Sequence, residues 1–306
     1  MTCKLKETLH KEFINDNGIS KIRYDWDHEA VRDCPDCGGL KYIQSVNPQG
    51  YRMVAPCEGT SAIRRIELYN QAGVPARHGC CTFQSFNLKE LRDGTEVESF
   101  IRSIRKFQKG DPGFLLEGGS GTGKTHLLCA AIRYLTLERG ISCMYVDYSN
   151  LLNDIRNAYG QNIPESSYIE PLVKAPVLFL DEVGRGREKT NDFEIRIIDT
   201  IINQRYLNPD LTTYFASNYR DRASSGYLNY IANGYAGDKR RWQQFAQQRY
   251  RAEGFQHVDE FYQYVDKLMK SEHIEDRISE RTASRLIGMV TPVYIDASDY
   301  RRKCTK

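Results

Sequence analysis

Residues 118–125 read Gly-Gly-Ser-Gly-Thr-Gly-Lys-Thr. The run satisfies the spacing G-x-x-x-x-G-K-[ST], and nothing else in the chain restricts the fold so tightly. Glycines let the backbone N–H groups turn inward around an anion, and the loop must open onto a helix N-terminus whose dipole favours negative charge. Such a loop works only between a buried strand and an amphipathic helix. GFLLE at 113–117 and HLLCAAIRYLTLE at 126–138 supply both. Gly118, Gly119, Ser120, Gly121, Thr122 and Gly123 are therefore expected to cradle nucleotide phosphates. Lys124 is expected to reach the β/γ-phosphates, Thr125 to ligate Mg²⁺, and His126 to open the helix beside the ligand.

The flanking pattern agrees. Short apolar runs at Gly113–Glu117, Ser142–Val146, Val177–Leu180, Thr212–Ala216 and Val293–Ile295 alternate with helix-period segments at Lys124–Glu138, Ser149–Ala158 and Phe193–Tyr206. Strands alternating with helices predict an α/β fold whose parallel sheet is covered on both faces.

Two further elements complete a nucleotide site. Val177–Leu180 runs into Asp181 and Glu182. A buried strand delivers such acids to the carboxyl end of the sheet, where Asp181 can hold Mg²⁺ and Glu182 can orient an attacking water. Acids at a strand end are often only solvated; behind a complete P-loop they are read as functional. Tyr214-Phe215-Ala216 leads into Ser217-Asn218. Asn218 is either a turn residue or an amide that senses the γ-phosphate.

Composition excludes other classes. With 306 residues, 40% hydrophobic and 27% charged, the chain can bury a core and is neither fibrous nor broadly disordered. Its apolar runs are far shorter than a bilayer span, which predicts no membrane segment. The first residues lack the apolar stretch of a secretory signal, so a cytoplasmic protein is expected. A formal charge of +3 means that any nucleic-acid surface has to be local.

The P-loop, the acidic strand end and Asn218, in this order and with ERTASRL at 280–286, resemble the AAA+ ATPases, and more narrowly the DnaC/DnaI helicase-loader and IstB-like group. AGVPARHGCCTFQSFN at 72–87 is similar to that group's lead-in to the ATPase core. The resemblance, over residues 70–220 and 275–302, implies a P-loop AAA+ core without a C-terminal lid domain. It implies hydrolysis of ATP with Mg²⁺ at subunit interfaces, with Arg285 inserted into the neighbouring site and Arg281 as a second basic contact. Arg281 and Arg285 would equally share one helix face and pair with Glu280 or Asp276. The implied activity is ATP-dependent loading of a DnaB-type replicative helicase on single-stranded DNA, with self-association. A transposition helper acting on duplex DNA is the alternative, and a small-molecule P-loop kinase fits less well because Asp181, Glu182 and Asn218 suit activation of water.

Two segments depart from the resemblance. Residues 1–80, with a charged and helical first stretch at 1–30, are expected to form a Cys-rich partner-binding module ahead of a core at 81–306. Cys34-Pro35-Asp36-Cys37 and Cys57 suggest zinc, the fourth ligand coming from His78, Cys80, Cys81 or Cys3; Cys80 is the working choice. Cys57, Cys80 and Cys81 would otherwise be small buried hydrophobes. Residues 221–272 form an insertion in which Arg222, Lys239, Arg240, Arg241, Arg249 and Arg251 interleave with Tyr227, Tyr230, Tyr235, Trp242, Phe245 and Tyr250. These aromatics either stack the bases of a single strand or pack one helix onto the protein. Arg185 and Arg187, after the acidic strand, are the more economical DNA-binding candidates, or else solvated charges.

Overall fold

A computed structural model describes residues 12–23, 37–40, 42–161, 163–185, 192–223, 225–297 and 299–300. The chain opens with β1 (Glu12–Asp16) and β2 (Ile19–Arg23), an antiparallel hairpin rather than the helix expected for 1–30. Its turn is Asn17-Gly18 with φ of 50° and 80°. This is the conformation that Asn-Gly favours, because its twist matches that of the paired strands. A second hairpin, β3 (Tyr42–Val46) and β4 (Arg52–Pro56), stands largely exposed.

The helices follow as α1 (Glu58–Gln71), α2 (Thr95–Lys106), α3 (Lys124–Arg133), α4 (Tyr148–Tyr159), α5 (Ser166–Lys174), α6 (Asp192–Tyr206), α7 (Tyr227–Ala232), α8 (Lys239–Arg249), α9 (Val258–Lys270), α10 (Ile274–Ile278) and α11 (Glu280–Met289). Between them run β5 (Gly113–Glu117), β6 (Cys143–Asp147), β7 (Val177–Val183), β8 (Thr212–Ser217) and β9 (Val290–Tyr294). These strands form one parallel sheet in the order β6-β7-β8-β5-β9.

Strand alternation divides the sheet into two cores. Phe114, Leu116, Val177, Phe179, Tyr214 and Ala216 face α1, α2 and α3. Leu115, Leu178, Leu180 and Phe215 face α4, α5, α6, α10 and α11. Both sides being buried explains why these strands read as continuous apolar runs. Ile22, Ile66, Tyr69 and Val74 share the first core with Leu127 and Leu128 of the P-loop helix, so packing continues across the boundary expected near residue 80.

The sheet is tight at β5. A Cβ on Gly113 would lie 1.7 Å from the Thr213 carbonyl oxygen on β8, and backbone held in a ladder cannot yield. Gly113→Ala is expected to cost ~3 kcal/mol or more, measured as a lowered midpoint in thermal or urea unfolding.

A buried guanidinium ties the second layer together. Arg205 donates from Nε to Thr213 Oγ1 at 2.7 Å, from Nη1 to the carbonyls of Leu172 and Ala175 at 2.7 and 2.8 Å, and from Nη2 to the Thr212 carbonyl at 2.8 Å. It has no carboxylate partner among the described residues, and burial lowers its pKa to about 10.

The insertion has a core of its own. Tyr230, Trp242, Ala246, Phe261, Val265 and Leu268 are buried together, with Tyr235, Phe245, Tyr250 and Phe255 packed around them. Trp242 stacks on Phe261 with ring centroids 6.0 Å apart. Of the two readings for these aromatics, packing within the protein holds for Tyr230 and Trp242, while Tyr227, Tyr235, Phe245 and Tyr250 are half-buried. Arg220 anchors the unit, donating to Tyr264 Oη at 2.8 Å and lying 3.7 Å above the Tyr294 ring of β9. Arg92 adds a cation–π contact to Phe255 at 4.5 Å and a hydrogen bond to the Gly254 carbonyl at 2.6 Å.

Candidate functional site

The loop between β5 and α3 has the backbone that its glycines were expected to permit. Gly121 and Gly123 have φ of 80° and 100°, and a Cβ on Gly123 would lie 2.6 Å from the Phe86 ring. Lys124 is buried and donates from Nζ to the carbonyl oxygens of Gly118 and Gly119, each at 2.7 Å, across the mouth of its own loop. Residues after β9 cross the outside of the loop, where the Ile295 amide donates to the Glu117 carbonyl at 2.8 Å and the Tyr300 amide to the Gly121 carbonyl at 3.1 Å.

The acidic strand end comes to the loop. Asp181 Oδ2 accepts from Thr125 Oγ1 at 2.7 Å and from Tyr145 Oη at 2.9 Å. Burial raises the pKa of Asp181, opposed by its hydrogen bonds from Thr125, Tyr145 and the Glu182 amide. The phenol of Tyr145 is pushed far up by burial and by the neighbouring Asp181 charge, so it stays a donor. Tyr145 was not foreseen. It lies on β6, and the β6–β7 pairing that sets Val146 beside Leu180 and Asp147 beside Asp181 is non-local.

Glu182 follows at φ 59°, in the left-handed region, where β7 shifts register against β8. A non-glycine residue held there carries strain of order 1–3 kcal/mol, a cost that recurs at functional sites. Its carboxylate is ion-paired with Arg185, whose guanidinium pKa rises in consequence. Asn218 is exposed at the end of β8. Ser120, Gly121, Thr122, Gly123, Lys124, Thr125, Asp181, Glu182 and Asn218 all line one cavity of about 980 Å³.

This donor set fits a nucleoside triphosphate with its metal. Thr125 and Asp181 present a hydroxyl and a carboxylate to the same point, an oxygen pair that suits Mg²⁺. Lys124 and the backbone N–H groups of the loop are the donors such an anion would need. His126 lines the cavity too, but its Nε2 lies 2.9 Å from the Thr82 carbonyl and 3.1 Å from Ser85 Oγ, pinning the lead-in segment to α3.

Residues 61–208 match the family model for IstB-like ATP binding protein. Over that stretch, just under half of the chain, the sequence is similar to IstB-like ATP binding proteins. The replicative helicase loader DnaC of Buchnera aphidicola subsp. Schizaphis graminum is 25% identical over 146 residues, 47% of this chain and 58% of that protein. DnaC of Escherichia coli K12 is 23% identical over 145 residues, with the same coverage of each chain. YqaM of Bacillus subtilis, an uncharacterized protein, is 31% identical over 96 residues, 30% of each chain. This chain therefore spans somewhat more than half the length of the loaders it matches. Among solved structures, the DnaC helicase loader gives a TM-score of 0.48 at 18% identity, covering 72% of this chain and 99% of that one. DnaI gives 0.47 at 20%, covering 74% and 93%.

Other expected site residues lie elsewhere. Arg285 on α11 faces Asp199 of its own chain, Nη1 to Oδ1 at 3.5 Å, and Thr282 Oγ1 donates to the same oxygen at 2.9 Å. Neither Glu280 nor Asp276 is its partner; Asp276 is paired with Arg222. Arg281 is exposed. Arg187 lies outside the described residues.

The zinc site expected on Cys34, Cys37, Cys57 and Cys80 is not supported. Cys34 and Cys3 lie outside the described residues. Among the described residues no three His, Cys, Asp or Glu side chains stand close enough together to hold a metal. Cys57 is buried at the N-cap of α1, and Cys80 is exposed. Burial pushes the Cys81 thiol up to about 11, which keeps it protonated and a poor ligand. No helix among the described residues is long and apolar enough to cross a membrane.

Proposed function

We propose that this chain is an ATP-hydrolysing loader for a DnaB-type replicative helicase. The observation that carries the ATPase reading is the convergence of Lys124, Thr125, Asp181, Glu182 and Asn218 on one cavity. The loader reading is supported by sequence similarity across the core to DnaC proteins.

In this reading the loop amides and Lys124 bind the β/γ-phosphates, and Thr125 and Asp181 would hold a Mg²⁺ ion, which would supply charge neutralisation. Glu182 orients the attacking water and takes up its proton, while Asn218 holds the γ-phosphate end. Arg285, after leaving Asp199, or the already exposed Arg281 would enter a neighbouring subunit's site, so that hydrolysis depends on self-association. The segment before residue 80 would grip the helicase, and Arg185 with Arg187 would contact single-stranded DNA.

The test is co-migration of the purified chain with its host's DnaB-type helicase on a sizing column, with and without ATP, followed by helicase recruitment to protein-coated single-stranded circles. The expected outcome is an ATP-dependent complex and recruitment that fails for Lys124→Ala. Association with a transposase on duplex DNA and not with the helicase would replace this reading by the IstB-like one.

A further inference from the structure

We infer that the outer face of α8 is a binding surface for the phosphate backbone of a nucleic acid, which would make the insertion a second DNA contact for the proposed loader. The inference rests on that reading for its biological setting but not for its chemistry.

The aromatic face of α8 is spent inside the insertion, as Trp242 and Ala246 show by their burial. What remains outside is Lys239, Arg240, Arg241, Gln243, Gln244, Gln247, Gln248 and Arg249, all exposed, followed by exposed Arg251 in the next turn. No acidic residue occurs from 239 to 252. Arg249 is paired with Glu253 at 3.1 Å. Lys239, Arg240 and Arg241 have no carboxylate within 4.0 Å among the described residues.

Their position is the telling point. They fill the first turn of α8, behind the N-cap Asp238, whose side chain accepts from the amides of Arg240 and Arg241. A helix N-terminus carries partial positive charge, so acids belong in its first turn and cations destabilise it. Three adjacent cations there repel the dipole and one another. Asp238 supplies one carboxylate to the helix end, which leaves three cations against a single acid, and an anion brought from outside would offset the excess.

The same face shows which polyanion fits. Protein–protein interfaces have an apolar core, which this face lacks. The outer face of α8 carries only cations and glutamine amides, which can bond phosphate and sugar oxygens without adding repulsion. The helix spans ~16 Å, about five phosphates along one strand of a duplex. With Trp242 buried and cations and amides outermost, binding should depend on salt and be indifferent to sequence.

The experiment uses the full chain with ATP and labelled dT30 or a 30-base-pair duplex, read by fluorescence anisotropy from 50 to 200 mM salt. Lys239→Gln/Arg240→Gln/Arg241→Gln should weaken binding about tenfold or more at 100 mM and flatten the salt dependence by ~2, at 0.7–0.9 per lost phosphate contact. Gln244→Glu/Gln248→Glu, which keeps every cation, should weaken binding as well. An unchanged midpoint in urea unfolding certifies the fold. Comparison of the two DNAs tells which form the face takes. Unchanged affinity and slope in both variants would overturn the inference, as would a wild-type chain that binds neither DNA and instead captures an acidic protein. Helicase co-migration is scored separately, so DNA binding through α8 without helicase association would remove the loader reading and leave this one standing.

Discussion

Glu182→Gln protein is expected to bind ATP as the wild type does and to hydrolyse it ~10²–10⁴-fold more slowly, the range for loss of a positioned general base. The amide keeps the volume and the left-handed backbone, so Thr125 and Asp181 stay in register and binding should survive. What is lost is the carboxylate that accepts the water's proton. Arg185 sharpens the expectation, because in the structure its guanidinium holds that carboxylate. Arg185→Ala should therefore not reduce turnover as Glu182→Gln does, even though both break the same ion pair. Steady-state phosphate release and equilibrium binding of a fluorescent ATP analogue measure the two quantities. Equal rates in wild type and Glu182→Gln would remove Glu182 from the chemistry.

Arg205→Met should destabilise the chain by ~3–5 kcal/mol, since several buried carbonyls would lose their donor at once and each unsatisfied group costs about 1–3 kcal/mol. The donors reach Leu172 and Ala175 at the end of α5 and Thr212 at the start of β8, segments far apart in sequence. Arg205→Lys should recover only a small part of the loss, because one ammonium cannot reproduce the planar fork. Urea unfolding of the three proteins decides it; a Met variant as stable as wild type would show that the carbonyls find other partners.

These two residues mark what could be read from the sequence. Glu182 belongs to a local pattern: an apolar strand, two acids and a preceding P-loop define backbone geometry within a few residues, and the parallel α/β fold follows from the alternation of such units. Arg205 looks like any cation on an amphipathic helix, and its burial depends on how α5 and β8 meet. Tyr145 is similar, since only the β6–β7 pairing brings it to Asp181. The hairpin at 12–23 had a readable signal, Asn17-Gly18, masked by the charge around it. For the insertion, the Trp242 and Phe245 spacing announced one buried helix face, but the residues that bury it, Phe261 and Val265, lie on α9. The cysteines show the opposite error, in which a suggestive spacing is not matched by convergence of side chains.

The docking of the first hairpin bears on how the molecule can be divided. The Ser20 amide donates to the Val74 carbonyl and the Ala76 amide to the Gly18 carbonyl, both at 2.9 Å, and Gly18 and Ile19 line the same cavity as the P-loop. Gly79 is pressed so close that a Cβ there would fall 2.0 Å from Ser20 Oγ. A fragment trimmed to the recognisable stretch of 61–208 would lose this wall and also β8 and β9, the two neighbours of the strand that carries the loop. A piece that keeps this packing is expected to run from the hairpin at one end to the residues after β9 that bond the loop at the other, beyond the stretch of 61–208.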